Sequence, residues 1–326
     1  MFKVLWGGNS MLDFIDCKLS GRSYAGSAGA KRGIIYNGEN WFLKFPKSTK
    51  EFRNAEISYT TSPLSEYLGS RIYESIGIDV HETLLGKYNN KIVVACKDFR
   101  KPGEDLTEFR AIKNDYIEGL EEHDGSSSDG SDTHLSSIIT IMNENDTFKS
   151  MPELKRRFWD MFVVDALIGN NDRNNGNWGI LINSFSQKRR IAPVFDNGAA
   201  FSGKLSDNQI DKILGDNNRF VQSVYDSRIC CFLDDDDRQI NPLKFIESGK
   251  NNDCNTALKR IMSRIDLNQI MQIFDELPCK YKGLTVISDS QREYYKRTLD
   301  YRYKNVFVPA LNYLHDLESN RQRPNL

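Results

Sequence analysis

Up to about Phe99 the apolar residues fall in short blocks broken by Gly, Asn and Pro, the pattern of β-strands. Leu12 to Leu19 reads as one strand. Ile34-Ile35-Tyr36 and Trp41-Phe42-Leu43-Lys44-Phe45 flank Asn37-Gly38, a strong hairpin signal, because Asn-Gly tolerates the positive φ of a tight turn. Pro46 ends the second strand. From Pro63 to Gly77 the period becomes helical: Leu64, Tyr67-Leu68, Arg71-Ile72 and Ser75-Ile76 recur on one face, and Gly77 suits the C-cap. Lys91 to Cys96 is another apolar block and another strand.

Beyond Phe99 helical periods dominate. Pro152 sits at a helix start, Leu154, Phe158, Met161-Phe162, Asp165 and Ile168 follow at helical spacing, and Gly169 stops the run. Leu205–Gly215, Pro242–Gly249, Thr256–Ile265, Leu267–Leu277 and Arg292–Leu317 also read as helices. One interruption is strand-like: Trp178 to Asn183 and Arg190 to Phe195, separated by the polar stretch Ser184 to Arg189. Pro193 lacks an amide hydrogen, which puts its strand at an edge. Strands first and helices after predict an α+β fold of two lobes, a β-rich N-terminal one over residues 1–99 and a mainly helical C-terminal one over residues 100–326.

Glu121 to His134 is acidic, serine-rich and nearly free of large apolar groups, which predicts a mobile loop. The four carboxylates Asp234 to Asp237 read as a solvated turn rather than a cation site. The tail from Asn320 is expected to fray.

At 326 residues the chain can hold two domains and a sizeable core. Its net charge of −1 gives no global field toward nucleic acid or anionic lipid. No apolar run reaches the length of a membrane span, and the N-terminus lacks a signal-peptide core. The expectation is a soluble protein, cytoplasmic in the producing cell, with export by a route needing no signal left open. Cys17, Cys96, Cys230, Cys231, Cys254 and Cys279 form no C-x-x-C pair, so free thiols in a reducing compartment are expected and a zinc site is not. His81, His123, His134 and His315 show no clustering and read as structural or surface residues.

The chemistry is carried by Gly169-Asn170-Asn171-Asp172-Arg173-Asn174-Asn175-Gly176-Asn177 and Phe195-Asp196-Asn197-Gly198. Asp172 alone would serve as a turn residue. With Asn177 five residues on and Asp196 beyond a hairpin, it matches the needs of phosphoryl transfer: one carboxylate to orient the attacking hydroxyl, an amide oxygen and a second carboxylate to hold magnesium. If the two strands pair so that Trp178 faces Phe195 and Asn183 faces Arg190, then Asn177 faces Asp196. Opposed Cβ atoms then lie roughly 4.5–5.5 Å apart, close enough to share one cation.

Lys44 lies in an apolar strand, where its charge needs solvent or a partner. The functional reading has it grip the ATP phosphates, held by a carboxylate of the Pro63 helix. Glu66 is the candidate and Glu56 the rival. Gly21 to Gly33 fits neither the P-loop spacing, since Ser27 stands where lysine belongs, nor G-x-G-x-x-G. Its glycines and alanines can still bring backbone N–H groups close to phosphates, and Gly26 to Lys31 is the expected cradle.

These residues resemble the HipA-like serine/threonine kinases, distant relatives of the protein and phosphoinositide kinases, from about Ser23 to Gly198. Ser23-Tyr24-Ala25-Gly26 resembles the opening of that family's phosphate loop, and Phe42-Leu43-Lys44-Phe45-Pro46 its lysine strand. Ser65-Glu66-Tyr67 resembles the start of its glutamate helix, and Val94-Ala95-Cys96-Lys97-Asp98-Phe99 the hinge whose backbone meets adenine. The resemblance implies nucleotide contacts at Ala25, Gly26, Ser27, Ala28, Gly29, Lys31, Lys44, Lys97, Phe99, Asn174, Asn177 and Asp196. It implies Asp172, Lys44 and Glu66 as catalytic residues and Asn177 and Asp196 as magnesium ligands. Asn174 departs from the histidine frequent at that position, and no arginine precedes Asp172.

The implied activity is ATP- and magnesium-dependent phosphorylation of serine or threonine in a protein, this chain included. Ser23 and Ser27 are the expected self-phosphorylation sites, with Ser126 to Ser128 as rivals. A phosphate on the glycine-rich loop adds up to about two negative charges beside those of ATP and disfavours nucleotide binding. No DNA-binding or repressor-partner segment is evident, so no nucleic-acid partner is expected. A lipid or small-molecule alcohol as acceptor, and an inactive nucleotide-binding scaffold, are the alternatives.

Overall fold

The computed structural model describes residues 11–22, 24, 31–120, 130–226 and 230–322. Ser23, Ala25, Gly26, Ser27, Ala28, Gly29 and Ser126 to Ser128 lie outside the described residues.

Strands β1 (Leu12–Asp13), β2 (Lys18–Leu19), β3 (Lys31–Tyr36), β4 (Glu39–Lys44), β5 (Thr83–Tyr88) and β6 (Lys91–Lys97) form one sheet in the order β1-β5-β6-β4-β3-β2. The expected single strand from Leu12 to Leu19 is two. β1 pairs parallel with β5 and β2 antiparallel with β3, so the chain must turn at Ile15-Asp16 to reach opposite edges of the sheet. The β3–β4 hairpin closes as expected, with Asn37 at φ 49° and Gly38 at φ 79°.

Alternation along the strands fixes where the chemistry can go. Trp41 and Leu43 of β4 pack with Phe14, Ile34, Val93 and Ala95 on one face. Phe42 and Lys44 therefore share the other face with Val94 and Cys96 of β6. That face is covered by α1 (Ser62–Ser75), which has a proline in its first turn and Gly77 at φ 74° just beyond its end.

Next come β7 (Glu104–Glu108), α2 (Phe109–Leu120), α3 (Leu135–Glu144), α4 (Asp146–Ser150) and α5 (Pro152–Ile168). Nearly every residue of α5 from Phe158 onward is buried, so it forms the axis around which the later helices pack. Gly169 ends it at φ 68°, a conformation glycine adopts freely. Strands β8 (Gly179–Asn183) and β9 (Arg189–Ile191) follow, forming a three-stranded sheet with β7, which the sequence pattern did not reveal.

The β8–β9 register differs from the expected one by two residues. Leu181 pairs with Arg190 and Ile182 with Arg189, placing Asn183 against Lys188 rather than Arg190. The cause is Asn183, whose side-chain oxygen accepts from the N–H groups of Phe185 and Ser186 and tightens the turn. A two-residue slip keeps every side chain on its face. Pairing ends where the Ala192 N–H donates to Gly179, before either Asn177 or Asp196, so those two are not ladder partners. β9 is the sheet edge and Pro193 lies just past it.

The remaining helices are α6 (Asp207–Leu214), α7 (Asn217–Val224), α8 (Pro242–Ser248), α9 (Asn252–Met262), α10 (Leu267–Asp275), α11 (Asp289–Arg302) and α12 (Val308–Gln322), with the short pair β10 (Lys280–Tyr281) and β11 (Leu284–Thr285) between α10 and α11. The single helix expected over Arg292–Leu317 is interrupted by a π-turn at Tyr303–Phe307. Pro309, just after it, has no N–H with which to continue the α ladder. Among the described residues no helix is long and apolar enough to cross a membrane, and all six cysteines are free thiols.

One contact ties α1 to the segment after β9. A Cβ added at Gly69 would meet the Cβ of Asn197 at 2.8 Å. Gly69→Ala is therefore expected to push the helix off that segment, at a cost of roughly 1–3 kcal/mol. A thermal melt indistinguishable from the parent would show that the contact relaxes freely.

Candidate active site

Lys44 ends β4 on the face covered by α1, and its ammonium meets two carboxylates there. Nζ lies 2.7 Å from Glu66 Oε2 and 2.7 Å from Asp196 Oδ1. Glu66 is fully buried, and its other oxygen accepts the Asn197 N–H at 3.0 Å. Asp196 sits at φ 62°, a strained conformation for a residue with a Cβ, which aims its carboxylate back at Lys44. The rival Glu56 is elsewhere, accepting from Ser206 and Asn208.

The loop after α5 is organised by a residue the sequence reading passed over. Arg173 is buried. Its Nε donates to Asp165 Oδ2 at 2.8 Å, and Nη2 donates to Asn197 Oδ1 at 2.6 Å. Nη1 donates to the carbonyls of Asn177, at 3.0 Å, and Phe195. Arg173 thus joins Asn177 to the residue before Asp196, the job expected of the β-ladder. The signal was Asp165, a carboxylate inside the otherwise apolar run Met161–Ile168, which had to have a buried partner.

Asp172 lies in the same loop. Asn174 Nδ2 donates to its carboxylate at 2.7 Å, and Asn174 Oδ1 accepts the Gly176 N–H at 2.9 Å, so Asn174 links both halves of the turn. Asn177 donates its amide nitrogen to the Asp172 carbonyl, leaving the amide oxygen for a cation.

These groups line one cleft of about 690 Å³ together with Tyr24, Lys31, Phe42, Asp98, Phe99 and Arg100. Tyr24 stacks on Phe42 with centroids 4.6 Å apart, and Phe99 lies 5.6 Å from Phe195, giving the cleft apolar walls. Asp98 gathers Arg22, Tyr24 and Arg100 and so ties the chain before β3 to the end of β6. Lys97 does not line the cleft. Its side chain pairs with Glu39 and Glu82, and its N–H donates to the Glu82 carbonyl. His81, read from sequence as structural or surface, is buried at the cleft with Nε2 2.9 Å from Glu66 Oε1.

No family model matches the chain. The serine/threonine-protein kinase CtkA of Helicobacter pylori is 38% identical over 300 residues, covering 92% of this chain and 87% of that protein. The chain belongs to the CtkA family of serine/threonine-protein kinases. The crystal structure of the H. pylori proinflammatory kinase CtkA matches this kinase with a TM-score of 0.81 and 35% identity, over 93% of this chain and 98% of that one. HipA of Shewanella oneidensis, solved with HipB and its operator DNA, matches at a TM-score of 0.52 and 14% identity, over 89% and 67% of the two chains, a likeness of fold alone. The kinase has the mixed α/β architecture of those neighbours.

Burial alone would keep the Glu66 and Asp196 carboxyls of the kinase protonated, but the Lys44 ammonium between them outweighs it and holds both below the usual carboxylate range. Burial likewise opposes the Lys44 charge, and the two carboxylates overcome it, raising its pKa. A carboxyl lowered in the folded state adds stability above its unfolded pKa, about 4.3 for glutamate, and loses it as pH falls through the folded value. The difference in melting temperature between the parent and Glu66→Gln should therefore be largest near neutral pH and shrink progressively below about pH 4. A gap that stayed constant from pH 7 to pH 3 would mean Glu66 is not held ionised.

Proposed function

We propose that the cleft binds ATP and that the chain transfers its γ-phosphoryl group to a serine or threonine hydroxyl of a protein, its own included. The carrying observation is the placement of Lys44 at 2.7 Å from both Glu66 and Asp196, in a cleft that Asp172 and Asn177 also line. Membership of a serine/threonine-kinase family makes ATP the expected donor. In this reading the chain divides at about Phe99 into a β-rich lobe over residues 1–99 and a mainly helical lobe over residues 100–326, with the nucleotide between them.

Each residue has a role that its surroundings suit. Lys44, kept charged by its carboxylate neighbours and backed by Glu66, grips the phosphates together with Lys31. The backbone N–H groups of Ala25 to Gly29, which lie outside the described residues, are proposed as further phosphate contacts. Phe42, Phe99 and Phe195 offer apolar surface for adenine, with the Asp98–Phe99 backbone at its edge. Asn177 and Asp196 present hard oxygen donors, the kind magnesium selects. Magnesium, when bound, neutralises phosphate charge and orients the transferring group. Asp172 accepts the proton of the attacking hydroxyl, and Asn174 fixes the direction of its carboxylate. Ser23 and Ser27 are the acceptors proposed for self-phosphorylation.

The test is incubation of the purified protein with labelled ATP and magnesium, without added substrate, followed by phosphosite mapping. Label on protein serine or threonine is expected. Label only on an added lipid or small alcohol would reassign the acceptor. Nucleotide-dependent thermal stabilisation without any transfer would reduce the chain to a scaffold.

A further inference from the structure

We propose that Glu66, His81 and Cys96 form an inhibitory site for a soft divalent cation, zinc above all, whose occupancy disengages Lys44. The inhibitory half of this proposal rests on the role of Lys44 and Glu66 given above. The three residues come from α1, the segment before β5, and β6, so only the fold brings them together. Each offers one donor atom within 4.8 Å of the other two, and all three are buried.

The donor set is a thiol, an imidazole and a carboxylate, which suits zinc with a fourth position left for water. It differs in kind from the all-oxygen pair Asn177 and Asp196, which suits magnesium. A second observation points the same way. His81 is 2% exposed, yet neither ring nitrogen makes a hydrogen bond of acceptable geometry, despite the short approach to Glu66. A buried imidazole whose Nδ1 has no partner and whose Nε2 meets a carboxylate off the hydrogen-bond axis is uncommon, and a metal would satisfy it. His81 and Glu66 both line the cleft, which gives an ion its way in.

Two costs shape the behaviour. Tetrahedral zinc sets ligand atoms roughly 3.3–3.7 Å apart, so donors that now lie up to 4.8 Å from one another must draw in, while His81 Nε2 and Glu66 Oε1, 2.9 Å apart, must part slightly. Burial pushes the Cys96 thiol well up, so the ion must displace the thiol proton to solvent as the zinc–sulfur bond forms, and binding tightens as pH rises. The Lys44 ammonium stands 2.7 Å from Glu66, and a dication cannot share that carboxylate with it comfortably. Metal and lysine compete for Glu66, and the lysine retreats to Asp196 alone. Zinc at this site therefore undoes the arrangement proposed to hold ATP.

The test uses the full chain stripped of metal. Titration with cobalt(II) should produce a thiolate-to-cobalt charge-transfer absorption saturating at one equivalent. The band should be absent in Cys96→Ala, weakened in His81→Gln, and displaced by zinc in the parent. Zinc at one to two equivalents should lower the parent's phosphoryl-transfer rate at least tenfold, and should leave Cys96→Ala near its own zinc-free rate. No band in the parent, or a band that persists in Cys96→Ala, overturns the site. A Cys96-dependent band without loss of rate overturns the inhibition. The absorption arm reads binding alone, so it stands even if the protein transfers no phosphate.

Discussion

Asp172→Asn is expected to reduce phosphoryl transfer by about 10²–10⁴-fold, the usual worth of a positioned general base, while leaving the fold and nucleotide affinity close to those of the parent. The replacement keeps an oxygen to accept from Asn174 Nδ2, so the loop retains its internal hydrogen bond. It removes the negative charge that attracts the proton of the incoming hydroxyl. Lys44, Glu66, Asn177 and Asp196 are untouched, so ATP and magnesium should still bind. The measurements are the initial rate of label transfer, the melting temperature, and the ATP-induced shift in that temperature. A rate within threefold of the parent would remove Asp172 from the chemistry. A lost ATP shift would instead make it a nucleotide ligand.

The polar motif was legible because residue type and spacing carry it. Asp172, Asn177 and Asp196 were marked by the combination, and Lys44 by being a charge in an apolar strand. Glu66 was the candidate partner on the Pro63 helix, with Glu56 as its rival. What stayed hidden has one physical cause: it depends on contacts between segments far apart in the chain. His81 has no informative neighbours in sequence, and only the packing of α1 on the sheet sets its ring against Glu66. The two-residue register shift at β8–β9 left no trace in the hydrophobic pattern, since both registers bury the same side chains. It was decided by the side chain of Asn183. The interruption at Tyr303–Phe307 was foreshadowed by Pro309, a residue without an N–H in an otherwise helical run.

The largest loss of stability is expected from Asp165→Ala. Asp165 accepts from Arg173 at 2.8 and 3.2 Å, from the Tyr73 hydroxyl at 2.8 Å and from Asn170 Nδ2 at 3.0 Å. Removing it strands a buried guanidinium and two further donors, and breaking a buried ion pair from one side costs roughly 3–5 kcal/mol. That is a large share of the ~5–15 kcal/mol that holds a typical domain folded. The damage should also reach the chemistry. Arg173 holds the carbonyls of Asn177 and Phe195 and the side chain of Asn197, whose N–H binds Glu66. The double replacement Asp165→Leu with Arg173→Met separates the two effects. Without a stranded charge it should recover much of the stability, because apolar groups of similar volume often replace a buried pair at little cost. It should not recover activity, because nothing then fixes Asn177 relative to Asp196. An Asp165→Ala protein melting within a degree or two of the parent would mean water reaches Arg173 and that the network holds the site less tightly than its distances imply. A double variant both stable and active would show that the loop keeps its shape without the arginine, leaving the alignment of the two oxygen donors to the backbone turn alone.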